Sequence, residues 1–162
     1  MTVESDGSVR HERVIDVPQA QAFALFTELD RFKPREHNML AVPIEQTVME
    51  QRAGGAIYDR GVDGTTCQWG RVVAFDPPDR LVFTWNIGPD WHVTSDPART
   101  SEVDVTFTPE PDQRTRVTLV HRHIDRHGDG WESLRAGLDA PDGWPTYLDR
   151  YTALAETPGG TP

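Results

Sequence analysis

The sequence predicts an α+β fold, a curved antiparallel sheet of about seven strands wrapped around a C-terminal helix, and three observations carry that prediction. The segment SEVDVTFTP, residues 101–109, alternates Val103, Val105 and Phe107 with Glu102, Asp104 and Thr106, the pattern of a strand buried on one face. The segment DGWPTYLDRYTALAE, residues 142–156, lays Trp144, Tyr147, Leu148, Tyr151 and Leu154 along one helical stripe. Between them and the N-terminus, short β-like runs are punctuated by Gly, Pro and Asp. A sheet with one apolar face must cover it, and the helices are the available cover. A strongly curved sheet cannot touch a straight helix along its whole length, so a gap is expected between them, where a small molecule would bind.

The elements follow in order. VRHERVID reads as the first strand. In DVPQAQAFALFTELDRF, Asp16 is the expected N-cap and Pro18 sits in the first turn, with Ala22, Phe23, Phe26 and Leu29 at helical spacing. IEQTVME and AIYDRG are two short strands joined by QRAGG, whose paired glycines suit a turn. TTCQWGRVVAFD and RLVFTWNI form a hairpin across PPD. In the former, Trp69 shares its parity with Val73 and Phe75 but also with Arg71, a conflict that a bulge at Gly70 resolves. After the turn at EPDQ, RTRVTLVHRH places Val117, Leu119, His121 and His123 on one face, and a short helix is expected over residues 131–138. Asp142 is the expected N-cap of the last helix, with Pro145 in its first turn.

Composition narrows the function. The 162 residues fit a single domain, 1–162, with an ordered core expected over residues 9–155. No apolar run approaches the roughly eighteen residues of a membrane helix, and MTVESDGSVRHE lacks a signal peptide's apolar region, so a cytoplasmic location is expected. The single cysteine, Cys67, excludes an internal disulfide and any multi-cysteine zinc site. A net charge of -10 argues against nucleic acid and anionic membrane as partners. Nucleotide loops, nucleophile elbows and zinc-protease helices are missing from the sequence, and no cofactor is implied.

The run RAGGAIYDRGVDGTTCQWGRVVAFDPPDRLVFTW, followed by SEVDVTFTPE and TRVTLVHR, resembles the START-related helix-grip superfamily called SRPBCC. More narrowly it is similar to the single-domain proteins named after the activator of the heat-shock-protein-90 ATPase. The likeness covers about residues 9–155 and rests on Gly54 and Gly55, Asp63 and Gly64, Trp69 and Gly70, DPPDRL and Trp85. It implies a seven-stranded sheet gripping the C-terminal helix, with a cavity that in relatives holds lipids, polyketides, hormones or aromatic compounds. One departure is visible: many relatives carry a Trp-Trp pair after the first helices, where this chain reads FKPRE.

Candidate residues follow. The five tryptophans favour a cavity with aromatic walls. The expected ligand-binding set is Trp69, Trp85, Val105, Phe107, Leu119, His121, Trp144, Tyr147, Leu148 and Tyr151. HRHIDRHGDGW, residues 121–131, invites a metal reading, since His121 and His123 stand two apart on a strand, roughly 7 Å from one another. A third ligand from Asp125, His127 or Asp129 requires the loop to fold back, so a polar pocket role for His121, or a purely structural one, is the simpler expectation. Cys67 reads as a small buried residue and Glu102 with Asp104 as a solubility face, while His37 has two readings, a guard of the cavity mouth and, the favoured one, a solvated loop residue.

Three functions stay open: a protein that binds, carries or senses a small apolar or aromatic molecule; an enzyme of the cyclase, dehydratase or hydrolase kind in which His121 or Tyr147 moves a proton; and a chaperone-partner module. The first is favoured. Edge strands of such a sheet are able to pair, leaving a homodimer open.

Overall fold

The computed structural model describes residues 8–34, 37–94 and 96–156. Its elements run β1 (Val9–Ile15), α1 (Gln19–Thr27), β2 (Ile44–Met49), β3 (Ala56–Gly61), β4 (Thr66–Asp76), β5 (Arg80–Trp85), β6 (Ser101–Glu110), β7 (Arg114–Arg122), α2 (Trp131–Asp139) and α3 (Trp144–Glu156). The strands form one antiparallel sheet in the order β1-β7-β6-β5-β4-β3-β2, so β1 and β2 are its edges. This is the curled, helix-gripping sheet that the sequence implies. None of the described helices is long and apolar enough to cross a membrane.

The conflict around Trp69 is resolved by a bulge. Across β3, Ile57 pairs with Gly70 and Tyr58 with Gln68, leaving Trp69 as the extra residue, turned inward and only 2% exposed. A second slip against β5, where Val72 pairs with Phe83 and Ala74 with Val82, turns Val73 outward. Gly70 is required by space, because a Cβ there would lie 2.6 Å from the Thr84 carbonyl oxygen.

Beneath the sheet, α1 and α3 meet in an aromatic cluster. Phe26 packs edge-on against Tyr151 at 5.2 Å and against Phe107 at 5.9 Å between ring centroids. The Tyr151 hydroxyl donates to the Ala22 carbonyl at 2.7 Å, tying the two helices together. Burial pushes this phenol's pKa well up, so it stays a neutral donor.

Four local expectations need correction. Asp16 is not a cap: α1 starts at Gln19, and Pro18 occupies the N-cap position without a side-chain hydrogen bond. The Pro18 carbonyl nonetheless accepts from the Ala22 N–H at 2.9 Å, opening the helix. At α3 the first helical carbonyl is that of Gly143, accepting from Tyr147, rather than that of Asp142. His123 does not continue β7, because it takes a left-handed conformation at φ 63° just beyond the strand. Asp104 is not on a wet face. It is 9% exposed and gripped by Arg80 through two contacts, of 3.1 and 2.7 Å, and by Arg122 at 2.8 Å. Burial alone would raise its pKa, but the arginine hydrogen bonds outweigh that and hold the carboxyl below its ordinary value.

Candidate functional site

A cavity of about 330 Å³ opens where β3, β4 and β5 curl away from the start of α3. Trp69, Trp85 and Ile87 line it from the sheet, Leu138, Trp144 and Tyr147 from the helices. The rings interlock: Trp69 lies 5.4 Å from Trp85, Trp85 5.5 Å from Trp144, and Trp144 5.0 Å from Tyr147, all edge-on or tilted. The indole N–H groups of Trp69 and Trp85 are buried without an acceptor among the described residues.

The α2–α3 junction fixes the helical wall. A Cβ on Gly143 would collide with the Leu138 and Gly137 carbonyl oxygens, so only glycine allows Trp144 to begin α3 this close to α2. The Trp144 N–H donates to His121 Nδ1 at 3.0 Å. An indole nitrogen can only donate, so Nδ1 is the acceptor and the His121 proton resides on Nε2. That Nε2–H faces Ser101 Oγ at 2.7 Å, leaving the serine proton for His127 Nε2 at 2.8 Å. His121 is fully buried, and burial, reinforced by nearby His127, drives its pKa down to about 3. Burial, with the Arg99 charge second, also lowers His127.

The HRHIDRHGDGW segment does fold back and brings His127 toward His121, but through a serine hydroxyl. Both His121 nitrogens are engaged, and no described group of three or more His, Cys, Asp or Glu side chains is placed to hold an ion. Nor does His121 present a lone pair to the cavity. It is a positioning residue for Trp144.

Of the ten expected ligand-binding residues, Trp69, Trp85, Trp144 and Tyr147 reach the cavity. His121 stands behind Trp85 and Trp144, with ring centroids 5.6 and 5.8 Å away. Val105, Phe107, Leu119, Leu148 and Tyr151 are at most 2% exposed and lie in the core, where the α1 phenylalanines occupy the space under the sheet.

Polar residues complete the site. His37 is no solvated loop residue: its Nδ1 lies 2.8 Å from the Tyr147 hydroxyl at the cavity wall. Lys33 and Asp59 also line the cavity, and their side chains are 5% and 1% exposed. Asp59 was legible in principle, since it shares the inward face of AIYDRG with Ile57. Lys33, in a stretch without periodicity, carried no such signal. Cys67 is half-buried, and burial, helped by the Asp59 charge against that of Lys33, raises its thiol pKa, which makes it a poor nucleophile.

The model of the family described as activator of Hsp90 ATPase homolog 1-like protein matches residues 16–156. The chain belongs to that family. Among solved structures, this family member is 34% identical to an anthrahydroquino-gamma-pyrone synthase solved as a complex, with TM-score 0.63, covering 94% of this chain and 98% of the other. It is 29% identical to the self-sacrificing resistance protein CalC from Micromonospora echinospora, with TM-score 0.61 and coverage of 91% and 92%. The Aha1 dimer from Colwellia psychrerythraea, 12% identical with TM-score 0.60 and coverage of 96% and 98%, shares the fold alone. A search of curated proteins finds no match.

Proposed function

We propose that this family member binds a small, flat, largely apolar aromatic molecule in the cavity between β3–β5 and the start of α3. One observation carries the reading: three interlocked indoles and Tyr147 surround a volume of about 330 Å³. That volume lies at the small end of ligand pockets, roughly 300–1,000 Å³, and its lining of aromatic rings with a few polar groups is typical of them. The 34% identity to a synthase named for a polycyclic aromatic product supports the same ligand class. The test is titration with polycyclic aromatic compounds, read by tryptophan quenching and by the rise in melting temperature that binding to the folded state produces. Saturable quenching is expected. Absence of both signals across the series would sink the reading and turn attention to the outer surface, where a chaperone-partner module would place its essential residues.

Turnover of that ligand is a second reading, favoured by the His37–Tyr147 hydrogen bond of 2.8 Å at the cavity wall. A phenol paired with an imidazole is a candidate proton-transfer unit. Tyr147→Phe would then abolish product formation while changing ligand affinity only a few fold.

A further inference from the structure

We infer that the Lys33–Asp59 pair is a built recognition point for a single hydroxyl group on the aromatic ligand, of phenol or enol type. The inference rests on the cavity reading above and specifies the chemistry that the cavity selects.

A lysine and an aspartate this deeply buried demand an explanation. Removing two charges from water is costly, and apolar residues of similar volume often stabilise a fold as well or better. Here the pair lies beside tryptophan, with Lys33 Nζ 6.0 Å from the centre of the Trp69 ring. Each partner is held from behind. The Thr47 hydroxyl donates to Asp59 Oδ1 at 2.7 Å, and Lys33 Nζ donates to the His37 carbonyl at 2.6 Å.

The two groups do not close on one another. Lys33 Nζ and Asp59 Oδ2 are 3.4 Å apart, longer than the roughly 2.7–2.9 Å of a charge-assisted hydrogen bond, and Oδ2 accepts no hydrogen bond among the described residues. A carboxylate oxygen in this state lacks a donor that water would have supplied. The ammonium group beside it is a strong donor. A hydroxyl both donates and accepts through one oxygen, so one hydroxyl fits the pair: its proton goes to Asp59 Oδ2 while its oxygen accepts from Lys33 Nζ. An ether or ketone would satisfy the lysine and leave the aspartate unpartnered, and a methyl group would satisfy neither.

The experiment compares three probes of one shape, 2-naphthol, 2-methoxynaphthalene and 2-methylnaphthalene, by calorimetric titration of the wild-type protein. A hydrogen bond to a buried charge predicts that 2-naphthol binds about tenfold to hundredfold tighter than either analogue. In the double variant Lys33→Met/Asp59→Leu, which removes both charges together, that preference is expected to collapse, so that 2-naphthol binds no tighter than 2-methylnaphthalene. Should this variant fail to fold, Thr47→Val, which leaves Asp59 without its orienting partner, is expected to diminish the preference instead. Equal wild-type affinity for the three probes overturns the inference and leaves the cavity reading standing. A preference that survives in the double variant, or in Thr47→Val when that variant is used, also overturns it. Failure of all three probes to bind is the outcome that removes the cavity reading, and this inference with it.

Discussion

The indole N–H of Trp144 donates to His121 Nδ1 at 3.0 Å, and this one bond sets the direction of every proton from the cavity wall to His127. The chain runs from an indole that can only give to an imidazole, a hydroxyl and a second imidazole. Since the indole accepts nothing, the chain cannot deliver a proton into the cavity. It holds Trp144 in place.

A neutral, locked His121 has a measurable pH signature. Its folded-state pKa of about 3 lies below the ordinary value of 6.5, so the unfolded chain takes up a proton that the folded one refuses. Stability is therefore greatest above pH 6.5 and falls as pH drops toward 3, by about 1.4 kcal/mol per unit from this residue alone. Urea unfolding at about pH 6.5 and about pH 5 should differ by about 2 kcal/mol, with His127 adding in the same direction. A flat profile over that interval would show that His121 charges inside the fold.

Ser101→Ala removes the bridge and leaves the His121 Nε2–H without an acceptor in a fully buried position. The expected loss is about 1–3 kcal/mol by chemical denaturation. A neutral result would mean that the ring is free to reorient.

Gly137→Leu should close the cavity without harming the fold. Gly137 lines the cavity on α2, and a Cβ there meets nothing within 4 Å. Replacing a helical glycine gains up to about 1 kcal/mol from propensity. Melting temperature should therefore hold or rise, while quenching by aromatic probes disappears. Retained binding would move the ligand site elsewhere.

Tyr151→Phe and Trp85→Leu separate core from cavity. Loss of the Tyr151 hydroxyl bond to Ala22 should cost about 1 kcal/mol and leave probe affinity unchanged, whereas Trp85→Leu, which strips a cavity wall, should weaken binding at least several fold. Equal effects on affinity would blur the boundary drawn between the two sets.

The fold was legible because it is written in periodicities. The alternation of Val103, Val105 and Phe107 and the stripe from Trp144 to Leu154 each report a face, and two faces suffice to orient a sheet against a helix. The cavity's aromatic half was legible for the same reason, with a bulge at Gly70 inferred from a broken parity and found one residue earlier, at Trp69. Its depth was not. Tyr151 and Phe107 share the apolar stripe and the apolar face with true lining residues, and periodicity tells inward from outward, not lining from core. The polar residues are harder to read: the sequence allows His37 at the cavity mouth but favours a solvated loop, and it gives Lys33 no signal, because the stretch between α1 and β2 carries no periodicity that reports a face.

The extra residue in β4 has a consequence of another kind. Gln68 and Gly70 face consecutive residues of β3, so Trp69 is a letter that this side of the ladder does not need. Deleting that one codon would leave the β3 pairing continuous and take away an indole wall in the same stroke. Sheets of this architecture can thus gain or lose an aromatic chamber through a three-nucleotide insertion or deletion, and two relatives with superimposable strands need not both have anywhere to put a guest.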